Sequence, residues 1–180
     1  MKLPGATHLV ILSSKQPDFY LAEAKRILDR LGLTLNAQKT RVVNVKEEAF
    51  DFLGHRFAVR PSKRTGAMKA YYYPRPKAMK AVRSKIHEVV HAGQHWDLPK
   101  LIREKVNPIL RGWGNYFKDS NSRKHFLSVA NYTVVTLCIM LRKKHKKRSK
   151  GWRDHPPSWF YTYQGLFKLY SLKGGVPVSA

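Results

Sequence analysis

Asn107-Pro108-Ile109-Leu110-Arg111-Gly112-Trp113-Gly114-Asn115-Tyr116-Phe117 is the stretch whose reading decides the fold. Its apolar residues continue a series of Leu98, Leu101/Ile102, Val106, Ile109/Leu110, Trp113 and Tyr116/Phe117. Steps of three and four residues are the period of one helix face. Pro108 falls inside the series, so it either kinks the helix or starts a new one with Asn107 as cap. A stripe of Met79, Val82, Ile86 and Val89/Val90 precedes it and stops near Gly93. Another follows, with Phe126, Val129/Ala130, Thr133/Val134, Leu137 and Leu141. Three amphipathic helices with short links predict a helical bundle over residues 77–170.

The chain before residue 77 has a different texture. Leu9–Leu12 is a short β-prone run, and Leu21, Ala24, Leu28 and Leu31 predict a helix with Asp18 as cap and Gly32 at its end. Arg41–Lys46 and Phe50–Arg60 read as two β segments joined around Lys46-Glu47-Glu48. Residues 61–76 read as a polar, proline-ended connector, and residues 171–180 as a tail. The fold class predicted is α+β: a strand, helix and β-hairpin over residues 1–60, then a mainly helical bundle.

Charge is the abnormal bulk property. Thirty-five Lys and Arg against eleven Asp and Glu give +24. Residues 1–51 hold eight basic and six acidic side chains, so nearly all of the excess lies beyond them. Such a surface repels itself and is relieved by a polyanion, most commonly nucleic acid, whose phosphates release counterions when neutralised. The third stripe runs into Arg142-Lys143-Lys144-His145-Lys146-Lys147-Arg148-Ser149-Lys150, with seven Lys/Arg and no acid. A run like this is often a solvated tail. Here it continues an amphipathic helix, and Trp152, Trp159, Phe160, Tyr161 and Tyr163 follow it. Stacking on aromatic faces beside phosphate-binding cations suits RNA, although about half of these rings are assigned to the core.

One cysteine, Cys138, lies in an apolar run, which excludes a disulfide framework and suits a small buried side chain. Neither a membrane span nor a signal sequence is read, so a soluble protein of the reducing cytoplasm is expected. His87-Glu88-Val89-Val90-His91 matches the H-E-x-x-H zinc-hydrolase pattern. Gly93 ends the helix before His95, and Glu104 is closer than a third protease ligand would be, so the match is read as chance on a solvated face.

Two regions carry a family resemblance. Leu31-Gly32-Leu33-Thr34-Leu35-Asn36-Ala37-Gln38-Lys39-Thr40 and Phe50-Asp51-Phe52-Leu53-Gly54 resemble the late palm motifs of group II intron reverse transcriptases. Asn107–Phe117 resembles the signature of their maturase-specific domain, also called domain X or the thumb, and the basic run falls where that domain has one. The resemblance implies a three-helix thumb packed on a palm sheet. It also implies a role in gripping structured group II intron RNA for splicing and in guiding an RNA/DNA duplex during reverse transcription. The RNA contacts it suggests are Lys39, Arg111, Trp113, Arg142, Lys143, Lys144, Lys146, Lys147, Arg148 and Lys150, with Trp113 equally suited to the core because it lies on the apolar stripe.

One departure counts against catalysis. The family carries Tyr-Ala-Asp-Asp before its first palm helix, and those carboxylates hold two Mg²⁺. Aligned on the apolar run, Thr7 and His8 stand at the aspartate positions. A hydroxyl and an imidazole do not replace anionic oxygen for Mg²⁺. The expectation is therefore no catalytic residues, no cofactor and a lost Mg²⁺ site in an RNA-binding maturase fragment. The competing reading is the C-terminal portion of an RNA-directed DNA polymerase, active only with a separate fingers-palm polypeptide.

Overall fold

A computed structural model describes residues 9–13, 17–146 and 155–172. The chain divides into two compact units, residues 1–44 and 45–180. In the first, α1 (Pro17–Arg30) buries only Ala24 among its residues. Asp18 lies inside the first turn and not at the cap, where its carboxylate still meets the positive end of the helix dipole. Gly32, at φ +70°, ends the helix as expected. Two predicted strands are absent: residues 9–12 and 41–46 form none, and Leu9, Leu12 and Val42 are exposed. A β-prone run becomes a strand only when a neighbour accepts its hydrogen bonds. Beside the second run, Val59 N–H bonds to Val45 O at 3.3 Å.

The second unit is α+β. Its antiparallel sheet has the order β1 (Phe50–Phe52), β2 (His55–Pro61), β3 (Met68–Pro74). What read as one segment over Phe50–Arg60 is two strands folded at Leu53-Gly54, with Phe52 paired to His55. Both turn residues take left-handed φ values, 43° and 78°, as a two-residue hairpin of this twist requires. Glycine accepts that conformation freely, whereas leucine is strained there by about 1 kcal/mol. Leu53 is 61% exposed, so packing returns little of this. Leu53→Gly should therefore raise the unfolding free energy by up to about 1 kcal/mol in urea melts.

The stretch read as a connector holds the β2–β3 turn and the third strand. Ser62 N–H bonds to Ala67 O at 2.8 Å, Gly66 closes the turn at φ +69°, and Tyr71, Tyr72 and Tyr73 pair with Ala58, Phe57 and Arg56. The flanking prolines mask a β-prone run; Pro74 sits only at its end, where no ladder bond is lost. The outer edge of β3 is covered as well. Asn121 N–H bonds to Tyr72 O at 2.8 Å, and Asn121 Oδ1 accepts from Tyr72 N–H at 3.1 Å. The Tyr72 hydroxyl donates to Asp119 O.

The helices follow as α2 (Pro76–Ala92), α3 (Leu98–Leu101), a π-helical stretch (Ile102–Val106), α4 (Asn107–Phe117), α5 (Arg123–Lys144) and α6 (Pro157–Thr162). Leu98–Phe117 is one continuous rod, and Pro108 does not break it. Pro108 has no N–H, and its ring would crowd the carbonyl of Glu104 in a regular α-turn. The wider π turn lies just before it, with Asn107 N–H bonded to Ile102 O, five residues back. Asn107 is thus no side-chain cap. Its amide points to the C-terminal segment instead: Nδ2 donates to Gly165 O at 2.9 Å, and Oδ1 accepts from Phe167 N–H at 2.8 Å.

The three stripes meet in one core. Ile86, Val90, Leu101, Ile102, Val106, Leu110, Phe126, Val129, Val134 and Leu137 are all but fully buried, and Phe160 and Leu169 join them from the C-terminal segment. By length and composition α5 could cross a membrane. Here it is the central helix, with Thr133, Thr136, Cys138 and Met140 buried beside its main stripe. A helix apolar on several sides is one enclosed on several sides. Thr133 and Thr136 each return their hydroxyl to the carbonyl four residues back, at 2.8 Å.

Gly114 shows how closely the C-terminal segment is seated. A Cβ there would lie 2.5 Å from Leu169 Cδ1 and 2.6 Å from Leu172 Cδ1. At Gly112, one turn face away, a Cβ would meet nothing. Gly114→Val should cost about 1–3 kcal/mol by overpacking. Gly112→Ala should instead gain up to about 1 kcal/mol from helix propensity. Thermal melts of the two variants should therefore move in opposite directions.

Candidate nucleic-acid interface

The signature Asn107–Phe117 divides its residues by direction. Asn107, Leu110, Gly114 and Phe117 are buried. Trp113 packs on Phe117 and Phe126, with ring centroids at 4.9 and 5.6 Å, and so serves the core. Tyr116 reaches the sheet: its hydroxyl donates to Leu53 O at 2.7 Å and its ring stacks on His55 at 5.5 Å. The β1–β2 turn is thus tied to the end of α4. Arg111 is exposed, with its guanidinium over the Phe167 ring at 4.7 Å.

A group of cations gathers around Trp96. The α2 helix stops at Gly93, where a Cβ would be 2.3 Å from Leu101 Cδ1, and the chain then turns with Trp96 N–H bonded to Gly93 O at 3.0 Å. The half-buried indole lies under Lys100 Nζ at 5.4 Å and Lys105 Nζ at 5.2 Å. From the end of α5, Lys144 Nζ donates to Trp96 O at 2.8 Å. Lys100 and Lys105 were not singled out from sequence. Five residues apart, they would diverge on a regular α-helix, but the intervening π turn closes five residues on and lets both reach one ring. The Pro108-induced turn is therefore also what assembles the patch.

The helix carries less of the basic run than its stripe suggested. It ends at Lys144, with His145 N–H on Leu141 O at 2.9 Å and Lys146 at φ +50°. Leu141 is the last buried residue of α5. Residues 142–146 are all exposed, so packing there does not offset the repulsion of successive cations, although the helix dipole favours them at this end. Arg142, Lys143 and Lys146 are exposed, and Lys144 is exposed but held by its bond to Trp96. Lys147, Arg148 and Lys150 lie outside the described residues, as do Trp152 and the Thr7-His8 pair. Lys39 is an exposed turn residue of the first unit, its N–H on Asn36 O at 3.0 Å.

Of the aromatics after the run, Phe160 is buried, Trp159 and Tyr161 are half-buried, and Tyr163 is 74% exposed. Burial, with Tyr170 adding to it, pushes the Tyr161 phenol up to about 12. Burial also raises the Cys138 thiol, leaving it protonated and inert at neutral pH. His87 and His91 face one another at 5.8 Å on α2, both exposed. Among the described residues no group of three His, Cys, Asp or Glu side chains gathers as a metal would need.

Residues 79–156 match the family model for the group II intron maturase-specific domain. This segment is similar to that domain over 78 residues. It runs from Met79 in α2 to the loop before α6, and so contains the Asn107–Phe117 signature, the Trp96 cluster and the whole of α5. No curated protein matches the chain.

Proposed function

We propose that the chain binds structured group II intron RNA through its maturase-specific domain and assists splicing, with no nucleotidyl transfer of its own. The family match over residues 79–156 carries this reading, since the domain indicates a maturase role. The charge supports it: cations from α3, the π-helical stretch and α5 converge on Trp96 with its indole among them. A flat ring within a positive field offers a nucleic acid both phosphate contacts and a stacking face. The resemblance of the first unit to a polymerase palm, with Thr7 and His8 where carboxylates would stand, favours binding over polymerisation.

The test is a comparison of the full chain's affinity for a group II intron RNA and for an unrelated structured RNA of equal length, with intron splicing measured alongside. Preferential binding and faster splicing at lowered Mg²⁺ are expected. Equal affinity and unchanged splicing would refute the reading. Primer extension on an RNA template should give no product from this chain, and extension by the purified chain would favour the polymerase alternative.

A further inference from the structure

A cavity of about 630 Å³ opens between β3, α2 and the start of α5, well separated in sequence from the basic run. Single-ligand sites usually fall between roughly 300 and 1,000 Å³, and this groove, open to solvent along one side, has the volume of such a site. Its wall has a graded chemistry. Lys80 and Lys124 are exposed at it, while Arg83, Tyr73, His125 and Tyr132 are half-buried. None of its described lining residues is acidic.

The groups of the wall are ordered by one another. Arg83 Nη2 donates to Ser128 Oγ at 2.7 Å, and its guanidinium lies 5.8 Å from the centre of the Tyr132 ring. Tyr73 and His125 stack at 5.2 Å with 13° between their planes. Arg83 Nε and His125 Nδ1 lie buried within this wall without a hydrogen-bond partner. Burial, then Arg83 and Lys124, hold His125 below the ordinary imidazole range, so it stays neutral beside these cations. The 22-residue helix α5 also begins here, adding the positive end of its dipole.

We infer that this cavity receives a single unpaired nucleotide of the bound RNA, with its phosphate on Arg83, Lys80 and Lys124 and its base against the tyrosine and histidine rings. The inference rests on the RNA-binding reading above and assigns it a second site. A paired duplex presents phosphates on a convex surface and keeps its bases stacked. Only a base outside the helix can enter a concave site walled by aromatic rings.

The experiment uses the full chain and two RNA hairpins, identical except for one bulged adenosine. Wild-type protein should bind the bulged hairpin about tenfold more tightly. Lys124→Gln and Arg83→Gln should each erase the difference while leaving affinity for the paired hairpin within about twofold. Lys124 is exposed, so its variant keeps the test valid should Arg83→Gln disturb folding. In NMR titrations, adenosine 5′-monophosphate should shift the His125 imidazole resonances far more than inorganic phosphate does. Equal affinity for the two hairpins, or a preference that survives both substitutions, overturns the inference while RNA binding stands. Equal shifts with phosphate would reduce the cavity to an anion site and also overturn it. No affinity for either hairpin would refute the RNA-binding reading and this site together.

Discussion

Asn107→Ala should lower the unfolding free energy by about 2–4 kcal/mol, among the largest losses available to a single polar side chain here. Asn107 is only 6% exposed, and both ends of its amide are committed, to Gly165 O and to Phe167 N–H. Truncation leaves those two main-chain groups facing a buried cavity. Each stranded group costs roughly 1–3 kcal/mol, because the water that would otherwise satisfy it is excluded. The loss should appear as a lower urea midpoint with an unchanged slope. Asn115→Ala, on the exposed side of the same helix, should stay within about 0.5 kcal/mol. A comparably small effect at Asn107 would mean that the amide does not hold the C-terminal segment.

The second large effect concerns affinity. Replacing Lys100, Lys105, Lys143 and Lys146 together with glutamine should weaken binding to intron RNA by about 10³–10⁴ at 0.1 M salt. All four are exposed, two of them over Trp96 and two at the end of α5. Each phosphate contact releases close to one counterion, so at this ionic strength it contributes not quite a factor of ten. The slope of log affinity against log salt should flatten by about 0.7–0.9 for each contact actually lost. Lys144 is left in place because it donates to the Trp96 carbonyl and so helps to hold the loop. Thermal stability should hardly change, since no buried group is altered. An unchanged salt slope would place the RNA elsewhere on the surface.

Both effects depend on the same short piece of backbone. The π turn that admits Pro108 brings Lys105 to the ring that Lys100 already covers, and it sets Asn107 facing the C-terminal segment. In sequence, Pro108 signals only that a regular helix is disturbed. Whether the rod breaks, kinks or widens depends on the neighbours that hold both halves in line. Those neighbours are α2, α5 and the segment carrying Leu166 and Leu169.

Periodicity alone determined the three apolar stripes, and with them the helical bundle, because burial on one side of a helix imposes a repeat that no tertiary detail can hide. Composition determined that the chain is strongly cationic beyond residue 51, and the Asn107–Phe117 signature pointed to the same family whose model residues 79–156 match. Strands were less legible. Met68–Pro74 became β3 because β2 and Asn121 complete its hydrogen bonds, whereas residues 41–44, equally β-prone, remained without a ladder. Tertiary structure also decided the tasks of individual signature residues. Trp113 went to the core, Tyr116 to a turn sixty-three residues earlier, and Asn107 to a clamp fifty-eight residues later. A local pattern can state which side of a helix is apolar. It cannot state which distant backbone group will arrive there needing a partner, and that is settled only when the chain closes on itself.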